Sequence, residues 1–176
     1  RIRHVEIASN GDVLVSCYST NGQVRFSKGE ITNWTSADGI AGDKVRVCIE
    51  DSKGNLWVGT TTGLSLIYPD GTIKNYFRAN GLNNDYIMCL YEDSKGDIWV
   101  GTDGGGINII RNEGVIKSYT TNDNGLAGNV IFKIFEDENS NVFVWTTTSK
   151  SWPEGSEHKI RGTVKDHKIY KNCKQT

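Results

Sequence analysis

Proline is scarce, with two residues in a chain of 176 against 20 glycines. Those glycines return in register with a repeat, so they punctuate turns and do not form a flexible linker. Charge of one sign is missing too: 20 basic residues face 21 acidic ones, for a net charge of −1. A nucleic-acid partner would favour a clear basic excess, and none is expected. No apolar run approaches the length of a membrane span, and no charged-then-apolar leader is read at the start. Direct membrane insertion of this segment is therefore not expected.

Metal-binding and nucleophilic signatures are lacking as well. The three histidines, His4, His158 and His167, lie near the two ends and show no ligand spacing. The four cysteines, Cys17, Cys48, Cys89 and Cys173, make no CxxC pattern. They read as small hydrophobes, and no disulfide is assigned. No Gly-x-Ser-x-Gly elbow appears. Thr102 to Gly106 is glycine-rich, yet no helix follows it to make a phosphate cradle. Asp51-Ser52-Lys53-Gly54-Asn55 loosely echoes a calcium loop without its ladder of ligands or its terminal Glu. No cofactor or metal is expected.

What the chain does have is a motif that returns almost letter for letter. Glu50-Asp51-Ser52-Lys53-Gly54-Asn55-Leu56-Trp57-Val58-Gly59-Thr60 is met again as Glu92-Asp93-Ser94-Lys95-Gly96-Asp97-Ile98-Trp99-Val100-Gly101-Thr102. A weaker copy runs from Ser9 to Ser16, and another from Glu136 to Thr146. Gly11, Gly54, Gly96 and Ser140 are separated by 43, 42 and 44 residues. A period of this length marks a propeller, a solenoid or an array.

One unit reads as four short strands. Val45, Val47 and Ile49 alternate with Arg46 and Cys48, and the run ends at Glu50-Asp51. Ser52 to Asn55 is a turn, and Leu56-Trp57-Val58 a second strand. Leu64 to Tyr68 makes a third, Pro69-Asp70-Gly71 turns, and Thr72 to Phe77 makes the fourth. Four such strands per period are a propeller blade. The expected fold is therefore all-β, with about four four-stranded antiparallel blades over 1–42, 43–84, 85–128 and 129–176. Trp57 and Trp99, aligned with Leu14 and Phe143, are expected to pack between neighbouring sheets. The fourth unit departs from the others: Ser140 replaces the turn Gly, Trp145 replaces Gly59 and Gly101, and about ten extra residues fall near 147–158. The Glu-Asp pairs at 50–51, 92–93 and 136–137 read as turn structure, with the Asp accepting backbone N–H groups.

These residues resemble the two-component regulator propeller repeat. The carrying pattern is Glu50-Asp51-x-x-Gly54-Asn55-Leu56-Trp57-Val58-Gly59-Thr60-x-x-Gly63-Leu64, closed by Tyr76 and Asn80-Gly81-Leu82, and it is met again from Glu92 through Leu126. The resemblance implies a larger, seven-bladed ring in the extracytoplasmic, periplasmic sensor region of a bacterial signalling protein such as a hybrid histidine kinase. It implies ligand sensing without catalysis, with oligosaccharides as ligands, and an output domain and further blades as partners. A bare array would also favour homo-oligomers.

In a propeller, the loops from second to third strand and those between blades share one face, where binding residues gather. On that face the candidate ligand-binding residues are Tyr18, Asn21, Lys44, Asn84, Asp85, Tyr86, Asp103 and Trp152. Two alternatives remain: a propeller enzyme, such as a lyase acting on glycans, or a structural or dimerisation scaffold.

Overall fold

The alternation read in each unit becomes four strands. In the computed structural model, residues 1–122 and 126–146 are described in full, and 158–164 and 167–173 as strand backbone. The first sheet is β1 (Ile2–Ile7), β2 (Val13–Cys17), β3 (Gln23–Ser27) and β4 (Glu30–Trp34). The second is β5 (Val45–Glu50), β6 (Leu56–Thr60), β7 (Leu64–Ile67) and β8 (Ile73–Tyr76). The third is β9 (Ile87–Glu92), β10 (Ile98–Thr102), β11 (Ile107–Arg111) and β12 (Gly114–Tyr119). All three are antiparallel meanders in chain order. First strands of neighbouring sheets pack on one another, β1 on β5, β5 on β9 and β9 on β13 (Ile131–Glu136), so they are the inner strands around a common axis.

The turn between first and second strands explains the repeated letters. Asp51 Oδ1 accepts the backbone N–H groups of Lys53 and Asn55, both at 2.9 Å. Its Oδ2 accepts Asn55 Nδ2 and the indole N–H of Trp57, again at 2.9 Å. Asp93 treats Lys95, Asp97 and Trp99 in the same way. The neighbouring Glu ties one blade to the one before it. Glu50 accepts the N–H and hydroxyl of Ser9, Glu92 those of Ser52, and Glu136 those of Ser94. The acidic pairs are thus engaged in structure, as their position in the repeat predicts.

Three apolar layers lie between the four sheets among the described residues. Trp57 stacks on Tyr76 at 5.7 Å, and Trp99 on Tyr119 at 6.3 Å, each pair facing the next sheet. Burying side chains of this size contributes on the order of 2–3 kcal/mol each. The glycine after each Trp-Val has a packing reason. A Cβ on Gly59 would meet Ile87 Cγ2 at 2.6 Å, and one on Gly101 would meet Ile131 Cγ2 at 2.7 Å. The first strand of each following sheet presses into that space.

The fourth sheet differs. Its second strand, β14 (Val142–Thr146), pairs with β13 in the usual register. The two later strands, β15 (His158–Val164) and β16 (His167–Cys173), form a hairpin, but β16 lies next to β14 and parallel to it. The order is β13-β14-β16-β15, in place of a fourth meander in chain order. The long stretch between β14 and β16 supplies the crossover length that a parallel pairing needs. Ser140 takes the left-handed turn conformation, φ 60°, that Gly54 and Gly96 take elsewhere. Trp145, 62% exposed, occupies the position of Gly59 and Gly101. Trp145 thus stands where the second and third sheets receive the inner strand of the following sheet.

Candidate functional site

The loop-bearing end of the sheets is assembled by backbone bonds. The N–H groups of Tyr18, Thr61 and Asp103 donate to the carbonyls of Arg1, Lys44 and Tyr86. Isolated bridges join Tyr18 to Lys44 and Asp103 to Val130, each across to the next blade. Among the described residues, the loops around Tyr18, Lys44 and Thr61 are joined in this way, as are those around Tyr86, Asp103 and Val130.

One irregularity shapes the mouth of the axis. Each inner strand carries an extra residue against its partner: Val45 and Val47 pair with Thr60 and Gly59, leaving Arg46 out of the ladder. The same shift leaves out Arg3 in β1, Met88 in β9 and Phe132 in β13. Such bulges re-aim a side chain. Here they set Arg3, Arg46, Met88 and Phe132 at equivalent positions around the mouth.

Two of these meet the expected candidates. Arg3 lies over the Tyr18 ring, its guanidinium carbon 5.1 Å from the centroid, and Lys44 Nζ is 5.8 Å from the same ring. Arg46 lies over the Tyr86 ring at 5.0 Å and donates from Nη1 to its hydroxyl at 2.8 Å. The neighbouring Tyr18 hydroxyl, with partial burial, raises the Tyr86 phenol above its ordinary value, while Arg46 acts in the opposite sense. Five side chains, Arg3, Tyr18, Lys44, Arg46 and Tyr86, thus form one connected cluster.

The other candidates are not members of that cluster. Asp103 is exposed in the same blade as Tyr86, to whose carbonyl its N–H donates. Asn84 is engaged locally, donating to the Asp103 carbonyl at 2.8 Å and accepting the Tyr86 N–H. Asp85 accepts the N–H of Arg78 at 2.6 Å and braces the loop between blades, as Asp43 does for Ser36. Asn21 is exposed on its turn, bonded through its N–H to Ser19. Trp152 lies outside the described residues. Arg3 and Arg46 were missed because strand alternation alone does not reveal a bulge. Their only sequence signal was a basic residue at the same place in two aligned repeats. No group of three or more His, Cys, Asp or Glu residues capable of holding a metal occurs among the described residues. His4 is bonded to Glu6 at 3.3 Å. No described helix is long and apolar enough to cross a membrane.

Comparison with known proteins agrees with this architecture. The chain is similar to the extracellular domain assigned to a hybrid two component system from B. thetaiotaomicron, with 20% identity and a TM-score of 0.67. That match covers 82% of this chain and 22% of the other. It is similar also to an extracellular domain assigned to a one component system of the same organism (19%, TM-score 0.73, 98% of this chain and 25% of that one). Virginiamycin B lyase from Staphylococcus aureus, solved in a catalytically inactive form with quinupristin, shares the fold at 20% identity, TM-score 0.72, over 99% of this chain and 55% of the lyase. This chain spans at most a quarter of the length of the two extracellular domains. No protein of curated function matches it. The family described as two component regulator propeller matches residues 39–62 and 81–104. Those two segments run from the inter-blade turn through the inner strand and the Glu-Asp turn to the Trp strand described above, and over them the chain is similar to two-component regulator propeller repeats.

Proposed function

We propose that this chain is a non-catalytic, ligand-sensing propeller segment of a bacterial two-component-type signalling protein, working in the periplasm or otherwise outside the cytoplasm. The observation that carries the reading is the mouth cluster, where bulges and loops of three blades bring Tyr18, Lys44 and Tyr86 together with Arg3 and Arg46. Cations and phenols projecting from a rigid sheet scaffold suit recognition of a polar ligand such as an oligosaccharide. No described carboxylate or imidazole pairs with them to move a proton. The enzyme reading would need one, and turnover lost on Asp103→Asn would favour it.

Further blades complete the sensor. Support comes from the outer face of the first sheet, where Ile2, Val5, Phe26 and Ile31 are 63, 51, 42 and 68% exposed. Their register counterparts in the second sheet, Val45, Cys48, Ile67 and Ile73, pack in the apolar layer against the first sheet. The occupant in the full protein is another blade of the same kind, presenting a Trp and a Tyr as Trp57 and Tyr76 do, in a ring of seven. Ligand binding favours one of two packings of this ring and so biases an attached output domain.

The test is a thermal-shift screen of the chain against an oligosaccharide library, with solution mass recorded alongside. A ligand at 100 times its Kd adds about 2.7 kcal/mol, roughly 5–10 °C for a domain of this size. A saturable shift supports the reading. A full-length protein whose output ignores the whole library refutes it, and an inert, self-associating chain favours the scaffold.

A further inference from the structure

The mouth of the axis holds a charge arrangement that no described carboxylate balances. Arg3 and Lys44 lie against the Tyr18 ring and Arg46 against the Tyr86 ring. No ion pair with a described carboxylate involves any of the three. Elsewhere the protein does pair its arginines: Arg25 reaches Asp12 and Glu50 at 3.0 and 2.7 Å, and Arg111 reaches Asp97 at 2.6 Å. Of the aspartates in the neighbouring loops, Asp43 and Asp85 are turned to backbone N–H groups, and the exposed Asp103, whose N–H bonds to the Tyr86 carbonyl, makes no ion pair with the three cations. Arg46 is short of acceptors. Its Nη1 bonds to a neutral phenol, and its Nε is out of water with no partner. Holding like charges together and leaving a buried donor unmatched both cost free energy, and an anion relieves both.

The bulge positions give the mouth a direction. Two consecutive blades set Arg3 and Arg46 there, and the next two set Met88 and Phe132, the latter 47% exposed. At the bulge positions one half is cationic and the other apolar. We propose that the mouth is an oxyanion subsite for an acidic saccharide. Arg3, Lys44 and Arg46 take its carboxylate or sulfate, and Phe132 and Met88 meet the apolar face of an adjoining sugar ring. Planar guanidinium groups suit such anions, since they offer paired N–H donors to two oxygens at once.

This inference rests on the sensor reading and narrows its ligand. The experiment is isothermal titration of the chain with four probes: a uronate oligosaccharide, a sulfated disaccharide, a neutral oligosaccharide of matched length, and sodium sulfate. Arg46→Gln and Arg3→Gln are titrated beside it, with circular dichroism to confirm that they fold. Saturable binding of an acidic saccharide, weakened roughly 10- to 100-fold by Arg46→Gln and reduced by added salt, is the expected result. The uronate and sulfated arms tell the two anions apart. Arg46→Gln protein that is folded yet binds the acidic saccharide with unchanged affinity overturns the proposal. Equal binding of the neutral saccharide overturns it while leaving the sensor reading in place. Binding of sodium sulfate but of no saccharide reduces the site to an adventitious ion only. Binding of none of the four overturns both.

Discussion

Replacing Asp51 with Ala tests the logic of the repeated turn. The carboxylate accepts four bonds, each at 2.9 Å: the N–H groups of Lys53 and Asn55, Asn55 Nδ2, and the Trp57 indole. Three of these donors sit in or beside an exposed turn, where water replaces the lost acceptor, so together they account for about 1–2 kcal/mol. The Trp57 N–H is different, because its residue is buried between the second and third sheets. Left without an acceptor it adds about 1–3 kcal/mol. The expected loss is therefore about 2–5 kcal/mol, a large share of the total for an ordinary domain. Trp57→Phe removes the donor while keeping an aromatic ring. In that background Asp51→Ala should cost about 1–3 kcal/mol less, and the difference is the coupling of the pair. Urea unfolding of the four proteins, followed by far-ultraviolet circular dichroism, measures it. A coupling below about 0.5 kcal/mol, within the scatter of independent sites, would refute the claim that the repeat keeps its Asp to satisfy the Trp.

Three other outcomes are expected. Gly101→Ala places a Cβ 2.5 Å from Cys89 Sγ and 2.7 Å from Ile131 Cγ2. It should cost about 1–3 kcal/mol by overpacking and lower the melting temperature; an unchanged melt would show that the layer has room. Hydrogen bonds from Ser27, the Thr35 N–H, Thr72 and Asn141, each the largest influence on its carboxyl, hold Asp12, Asp38, Asp70 and Asp137 below 3.8. Groups lowered on folding contribute stability above the unfolded value and lose it as pH falls through the folded one. The urea midpoint should therefore stay level down to about pH 5 and drop below about pH 4, and a midpoint rising on acidification would contradict the assignment. Burial pushes the Cys48 thiol up to about 11 and the Cys89 thiol up to about 12. In a Cys173→Ser background both should resist Ellman's reagent at pH 8 until urea unfolds the chain, and prompt labelling of either in native buffer would disprove this.

Much of the blade was legible because its determinants are local. The alternation from Val45 to Ile49, the Gly54 turn and the Trp57 strand appear where the pattern predicts, as β5 (Val45–Glu50) and β6 (Leu56–Thr60). The candidate site was less so. Tyr18, Lys44 and Tyr86, named from loop position, meet in the mouth cluster, whereas Asn84 and Asp85, from the same loop as Tyr86, are engaged in bracing it. Which side chain of a polar loop is free depends on bonds to residues far away in the chain, and composition does not record those.

By itself the sequence determined the period, the four-strand unit and the aromatic layers, since each follows from side-chain alternation and turn chemistry within some 40 residues. Tertiary structure decided what pairing between strands controls. It made Arg3 and Arg46 bulge residues of the mouth and not members of a strand face. It placed β16 beside β14. It left Ile2, Val5, Phe26 and Ile31 bare while their counterparts in the second sheet pack beneath a neighbouring blade. A residue's register and its neighbours across a sheet are properties of two segments at once, and one segment read alone does not contain them.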